Sequence, residues 1–330
     1  MSDRHVREYA DRNALLDLQP YVGKQIQTAD LAEHLMGLGT VGAKLYGLPL
    51  GQTTTVLQWD PAVWKKADAE EPKLGWTWDD YLAAAVKISK STGGKVAFSD
   101  PGREESWFKV WLSQQGKGLY AADGALGYTE QDVATWWGMT QRFQKAGAFT
   151  PPEANPAANP KGSPWVRRIS AAEFTPASTI APGAFKARGG EFKLAPWPQV
   201  GSELGQYSEP PMLLSVSARS KHRDAALKLT DFVMNDPEAG KILGMARGVP
   251  ANTKTRAAIA PSLPPESKLV YDFEQSVADK VKPGPPAPPK GASACTLAFA
   301  KVYEDVVFGK ASPADAAKRY MSEARQALAG

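Results

Sequence analysis

Capped helix starts alternate with short apolar runs along this chain, and that alternation constrains its fold more than any other feature. Thr77-Trp78-Asp79-Asp80 places an N-cap hydroxyl three residues before a carboxylate, and Trp78, Tyr81, Leu82, Ala85 and Ile88 follow at helical spacing. Thr129 with Asp132 opens a second helix through Val133, Trp136, Trp137 and Phe143. Asp236-Pro237-Glu238 is a cap followed by a first-turn proline. Ser312-Pro313-Ala314-Asp315 starts the last helix, which carries Ala317, Tyr320, Met321, Ala324 and Leu328 on one face. Between these lie strand candidates at Leu45–Leu50, Thr54–Trp59, Val96–Ser99, Phe192–Pro196 and Met212–Ser217. Helices and strands in alternation predict an α/β architecture.

At 330 residues the chain is long enough for two domains, and 43% hydrophobic with 22% charged residues excludes wholesale disorder. Net charge is only +4, from 39 Lys+Arg against 35 Asp+Glu, with no long run of one sign. Nucleic-acid binding needs a concentrated basic face, so that class is set aside. No segment reaches the ~20 apolar residues of a membrane-spanning helix. The one cysteine, Cys295, rules out an intrachain disulfide and cysteine-rich metal sites, and its apolar surroundings in GASACTLAFA predict a buried, inert thiol. The beginning, MSDRHVREYADRNALLDL, shows no signal-peptide pattern.

Motifs that carry catalysis are missing. No G-x-x-x-x-G-K-[ST], H-E-x-x-H or G-x-S-x-G occurs. His5, His34 and His222 share no metal-ligand spacing. The pairs Glu70-Glu71, Asp79-Asp80 and Glu104-Glu105 sit near helix starts, where carboxylates favour the helix dipole without any catalytic role. Two segments read as connectors: a polar loop over Pro151–Ser163, and PGPPAPPKG over Pro283–Gly291 as a stiff spacer.

Ten tryptophans are the positive signal. Flat aromatic faces pack against the C–H faces of sugar rings while polar neighbours bond the hydroxyls. Trp78, Trp136 and Trp137 follow helical periodicity and are assigned to a core. Trp107 starts a helix just after a strand, in DPGREESWFKVWLSQQGKGLY, and is placed equally for core or for a site. Trp197, in LAPWPQVG, is flanked by prolines and suits loop display or hinge packing; Trp165 in GSPWVRR is similar. The stretch GLPLGQTTTVLQWDPAVW raises a different question, because a core strand rarely carries Gln52-Thr53-Thr54-Thr55 in its middle.

The order of these signals resembles the family of extracellular solute-binding proteins of ABC importers, the group that includes maltose-binding protein and other carbohydrate binders. Four stretches carry the resemblance: KLYGLPLGQTTTVLQWDPAVW, GWTWDDYLAAAVKI, WLSQQGKGLYAADGALGYTEQDVATWWGMTQRF, and FKLAPWPQVGSELGQYSEPPMLLSVSARSKHRDAALKLTDFVMNDPEAGKILGMARGVPAN. One departure is Asp60, where the family usually has Asn after the aromatic. The family also begins with about two βαβ units, each ~30 residues or more, before the point matching Ser2. Met1-Ser2-Asp3-Arg4 then looks like the end of an early strand.

The resemblance implies an α/β, periplasmic-binding-protein-like fold of two lobes joined by a hinge, its N-terminal lobe incomplete. The expected lobes are residues 1–52 plus 212–270, and residues 53–211 plus 271–330. It further implies capture of a sugar or oligosaccharide between lobes that close on it, and delivery to an ABC permease. Ligand-binding roles are implied for Gln52 and Thr53 on the hinge floor, and for Trp107 as a stacking aromatic. They are implied also for Glu173, Phe174 and Thr175 in a loop of the second lobe, for Tyr207 and Glu209 at the return crossing, and for Trp197. No catalytic residue, metal or cofactor is expected. The expected protein is a monomer outside the cytoplasm, secreted or anchored as a lipoprotein, with a small-molecule solute and permease subunits as partners and no nucleic acid. A carbohydrate-active enzyme or lectin-like binder using the same aromatics is the competing reading, and a non-functional truncated fragment is another.

Overall fold

The computed structural model describes residues 3–154, 162–180 and 191–329. Residues 155–161 of the polar loop expected over Pro151–Ser163 therefore lie outside the described residues, as do Met1 and Ser2. The chain forms two compact units: Met1–Thr54, Pro176–Pro182 and Tyr207–Lys290 make the first, and Thr55–Thr175, Gly183–Gln206 and Gly291–Gly330 the second. The expected division differs in detail. Residues 53–54, 207–211 and 271–290, and the short stretch from Pro176, belong to the first unit rather than the second.

In the first unit, Gly51 to Thr54 open a long strand, Gly51–Trp59. Val249–Pro250 pairs antiparallel with its start, matching Val249 to Gln52, and Tyr207–Glu209 pairs antiparallel further on, matching Glu209 to Thr53. Lys282–Pro283 runs parallel to Tyr207–Glu209. The expected strand Leu45–Leu50 is broken into Lys44–Leu45, the second strand of a hairpin begun by Thr40–Val41, and Leu48–Pro49, which pairs with Leu213–Leu214. Leu18, Ile26, Leu35, Leu48 and Leu227 form a core among these elements. Asp3–Asp11 is helical, not the end of a strand, and Arg7 donates from Nε to the Pro288 carbonyl at 2.9 Å. That bond ties the proline-rich segment after Pro283 to the body of its own unit.

The first unit also contains Gly37-Leu38-Gly39-Thr40-Val41-Gly42, which spells the spacing of a dinucleotide-binding loop. It lacks the context such a loop requires: a short 3₁₀ turn at Gly37–Gly39, rather than a strand, leads in, and a two-residue strand, rather than a helix, follows. Gly39 is needed for another reason, since a Cβ there would collide with the Gly47 carbonyl.

The second unit takes the other half of the long strand. Leu57 and Trp59 pair with Ala195 and Lys193, and Ala97–Phe98 runs parallel to Ser170–Pro176. Around these strands lie the helices Pro61–Lys66, Trp78–Ser91, Glu105–Ser113, Glu130–Lys145, Ala292–Val307 and Pro313–Ala329. Their inner faces bury an unusually aromatic core that includes Trp64, Tyr81, Phe98, Phe108, Trp136, Trp137, Phe143, Phe299 and Tyr320. Cys295 is buried here, its thiol pushed up to about 11 chiefly by burial, which makes it inert.

The helix starts match the residues that announce them. Thr77 and Thr129 each form a complete capping box, with Asp80 and Asp132 respectively. Asp60 caps Pro61–Lys66 by accepting from the Ala62 and Val63 amides, so an acid at this place does what a capping Asn would do. Thr77→Ala and Thr129→Ala are each expected to lower stability by ~1 kcal/mol, read as a shift in denaturant midpoint. No change in midpoint for either variant would show that the box contributes nothing beyond its alanine replacement.

Candidate ligand site

The loop Asp100–Glu105, just after the strand Ala97–Phe98, is fixed at nearly every residue. Asp100 accepts the Gly102 amide at 2.8 Å through Oδ1 and the Tyr303 hydroxyl at 2.7 Å through Oδ2. The Gly102 carbonyl accepts the indole N–H groups of Trp136 at 3.4 Å and Trp137 at 3.2 Å. A Cβ on Gly102 would collide with the Tyr303 ring, so only glycine permits this approach. Arg103 pairs with Glu304 at 3.0 Å. Glu105 is buried and accepts the hydroxyls of Thr296 and Tyr320. Burial raises the Asp100 carboxyl to about 6, against the downward pull of its two donors.

This platform starts the helix that carries Trp107. Its ring lies 5.6 Å from Trp197 and 6.4 Å from Phe174, and those two stack on each other at 4.0 Å. Of the ten tryptophans, nine are buried and only Trp107 keeps part of its surface exposed. Trp197 is 0% exposed and backs Trp107, so of the two placements open for it, loop display or hinge packing, loop display does not occur. Trp165 is buried too, against Phe192.

Glu173, Phe174 and Thr175 lie on the strand Ser170–Pro176, not in a loop. Strand alternation turns Phe174 inward while Glu173 and Thr175 stay partly exposed. Phe174 therefore supports the aromatic wall and offers no face of its own. The Glu173 carboxylate accepts from Gln58 at 3.3 Å and Ser163 at 3.0 Å. Trp107, Phe174 and Trp197 are thus brought together, with Glu173 and Thr175 on the strand that carries Phe174.

The remaining four expected residues belong to the first unit. Thr53 stands opposite Glu209, and Tyr207 begins the same strand as Glu209; Tyr207 and Glu209 are both half-buried. Thr53 is buried and its hydroxyl accepts the Ser178 amide at 2.9 Å. Gln52 is buried as well, and its carboxamide is committed: its oxygen accepts from Arg256 at 2.8 Å, and it bonds the Glu274 carboxylate. Glu274 also accepts the Thr54 amide at 2.6 Å and the Thr54 hydroxyl at 2.9 Å. Burial raises its pKa while these donors oppose the rise. Gln52 and Thr54 therefore answer to a buried acid, and Thr53 to a backbone amide. Asp-Pro-Gly at 100–102 carries residues that favour a turn. Nothing in the sequence, however, showed that Glu105 is interior rather than a solvated helix-start acid.

A family model described as bacterial extracellular solute-binding protein matches residues 1–267. The chain belongs to that family. The solved structure of an extracellular solute-binding protein family 1 from Alicyclobacillus acidocaldarius is 25% identical, with a TM-score of 0.81 over 100% of this chain and 83% of its own. A periplasmic oligogalacturonide-binding protein from Yersinia enterocolitica is 18% identical, with a TM-score of 0.83 over 99% of this chain and 84% of its own, a likeness of fold. Among curated proteins, an arabinooligosaccharide-binding protein of Bacillus subtilis is 32% identical over 112 residues, 34% of this chain. The match spans only 25% of that relative's length. These likenesses agree with the mixed α/β architecture expected from the alternating helices and strands. Among the described residues no group of acidic, histidine or cysteine side chains is arranged to hold a metal ion, and no helix is long and apolar enough to cross a membrane.

Proposed function

We propose that this family member is the solute-binding component of an ABC importer and that its solute is a neutral sugar or oligosaccharide. The observation that carries the reading is Trp107: alone among the tryptophans it keeps an accessible surface, and a rigid loop and a stacked Phe174–Trp197 pair hold it. A sugar ring would lie on that indole, with Glu173 and Thr175 of the same unit offering partners to its hydroxyls. The relative named for arabinooligosaccharide binding supports the same class. The site residues would bind without covalent chemistry, and the protein would act outside the cytoplasm, secreted or lipid-anchored, as a monomer handing its solute to permease subunits.

A thermal-shift screen tests this reading, with arabinotriose, maltotriose, digalacturonate and a set of amino acids as probes. A neutral oligosaccharide is expected to raise the melting temperature increasingly as its concentration exceeds its dissociation constant, and chromatography should recover it unchanged. Stabilisation by amino acids alone, or hydrolysis of the sugar, would overturn the reading. For the sugar that binds, Trp107→Ala is expected to weaken affinity about ten- to a hundredfold, with little change in melting temperature because the ring is not fully buried. An unchanged affinity by calorimetric titration would remove Trp107 from the site.

A further inference from the structure

Glu105 is the least expected residue of the aromatic platform. An acid in the first turn of a helix is ordinarily solvated, yet Glu105 is 4% exposed. Its carboxylate accepts the Thr296 hydroxyl from the helix Ala292–Val307 and the Tyr320 hydroxyl, at 3.3 Å, from the helix Pro313–Ala329. Tyr320 is itself joined to Tyr128 by a 2.6 Å hydroxyl–hydroxyl bond. A buried carboxylate tolerates its surroundings only when hydroxyl or N–H donors compensate the lost water. Here the donors come from two helices far along the chain, and they converge on the first turn of the helix Glu105–Ser113.

Trp107 lies two residues further along that turn. Two residues of α-helix turn the side-chain direction by roughly 200°, so Glu105 and Trp107 leave opposite faces of one turn. Glu105 is anchored to the helical side of the unit, and Trp107 leans on Phe174 and Trp197. A rotation of this turn about its axis would move both together. Sugar stacking depends on the plane that the indole offers, so whatever fixes the rotation fixes the binding face.

We propose that Glu105 is a positioning residue of the ligand site: its buried carboxylate, held by Thr296 and Tyr320, sets the rotation of the first helical turn and thereby the face that Trp107 presents. The inference rests on the sugar-binding reading for its purpose, but its geometry is tested without any ligand. Full-length protein labelled with 5-fluorotryptophan gives ten fluorine resonances, one per tryptophan. Trp107→Phe assigns the Trp107 line, which alone should respond strongly to exchange of H2O for D2O because the other nine rings are buried. Glu105→Ala is expected to shift or broaden that line and enlarge its solvent response, while Glu105→Gln, which keeps an acceptor oxygen, restores it towards the wild-type position. Should Glu105→Ala not fold, Thr296→Val and Tyr320→Phe each remove one donor and are expected to move the same line. A Trp107 line unmoved in every folded variant, even with a lowered melting temperature, makes Glu105 a buried structural acid and overturns the proposal. In a parallel titration with arabinotriose, Glu105→Ala is expected to weaken binding about tenfold, the scale of a single aromatic stacking interaction. Failure of the wild-type protein to bind any sugar would strike the functional reading alone, because the fluorine result is decided independently.

Discussion

Trp137→Ala is expected to destabilise the second unit by ~3–5 kcal/mol, the range for removing a large buried aromatic. Trp137 has no exposed surface, and its ring lies 4.9 Å from Phe299, 5.9 Å from Tyr303 and 5.8 Å from Tyr320. Removing it opens a cavity that rigid neighbours on the surrounding helices cannot fill. It also takes one indole donor from the Gly102 carbonyl, although Trp136 still donates there at 3.4 Å. The damage should therefore reach the loop beneath Trp107 as well as the core. Chemical denaturation followed by far-ultraviolet circular dichroism measures the loss. A destabilisation below about 1 kcal/mol would mean that the aromatic core repacks freely, and the rigidity claimed for the Asp100–Glu105 platform would fall with it.

The contrast between Trp137 and Trp107 shows what the sequence could and could not convey. Helical spacing assigns Trp78, Trp136 and Trp137 to a core because the 3.6-residue period is a local property. The caps at Thr77, Thr129 and Asp236 are legible for the same reason: a hydroxyl or carboxylate satisfies amides two or three residues away. Trp107 and Trp197 sit outside any run, so their exposure is decided by residues far along the chain, and only the structure separates the half-buried ring from the buried one. The strand Ser170–Pro176 escapes a sequence reading because SAAEFTP has neither β-branched enrichment nor clear alternation; its neighbours in the sheet impose the conformation. The polar run Gln52-Thr53-Thr54 stands out as unusual for a core strand, but its explanation does not. Its partner, Glu274, lies 220 residues beyond Thr54, a distance at which no local pattern operates.

Asp100 gives the second large effect, as a dependence of stability on pH. Its carboxyl is raised to about 6 in the folded protein by burial, from an ordinary value of 3.8. Below about pH 4 the group is protonated whether the chain is folded or not, so it contributes no slope there. Between about pH 4 and pH 6 the unfolded chain has released this proton while the folded chain still holds it. The folded state then binds more protons than the unfolded state, so stability falls as pH rises through that window and levels off above it. The full loss by pH 7 is ~3 kcal/mol, from the size of the shift and the free energy of one pKa unit. Asp100→Asn remains neutral throughout and keeps one acceptor oxygen for the Gly102 amide or the Tyr303 hydroxyl. The variant should therefore gain on the wild-type protein as pH rises from about 4 to about 7. Comparing the two proteins at each pH cancels the contributions of Glu274, which is raised, and of Asp80 and Asp132, which are lowered. Denaturant midpoints taken at half-unit steps from about pH 4 to about pH 7 decide the matter. Parallel curves for the two proteins would show that Asp100 ionises without cost in the fold, its hydrogen bonds to Gly102 and Tyr303 offsetting its burial. A widening gap in favour of Asp100→Asn would show that burial prevails: the loop leading into the Trp107 helix is held in place by a carboxyl group that the surrounding core would rather keep protonated.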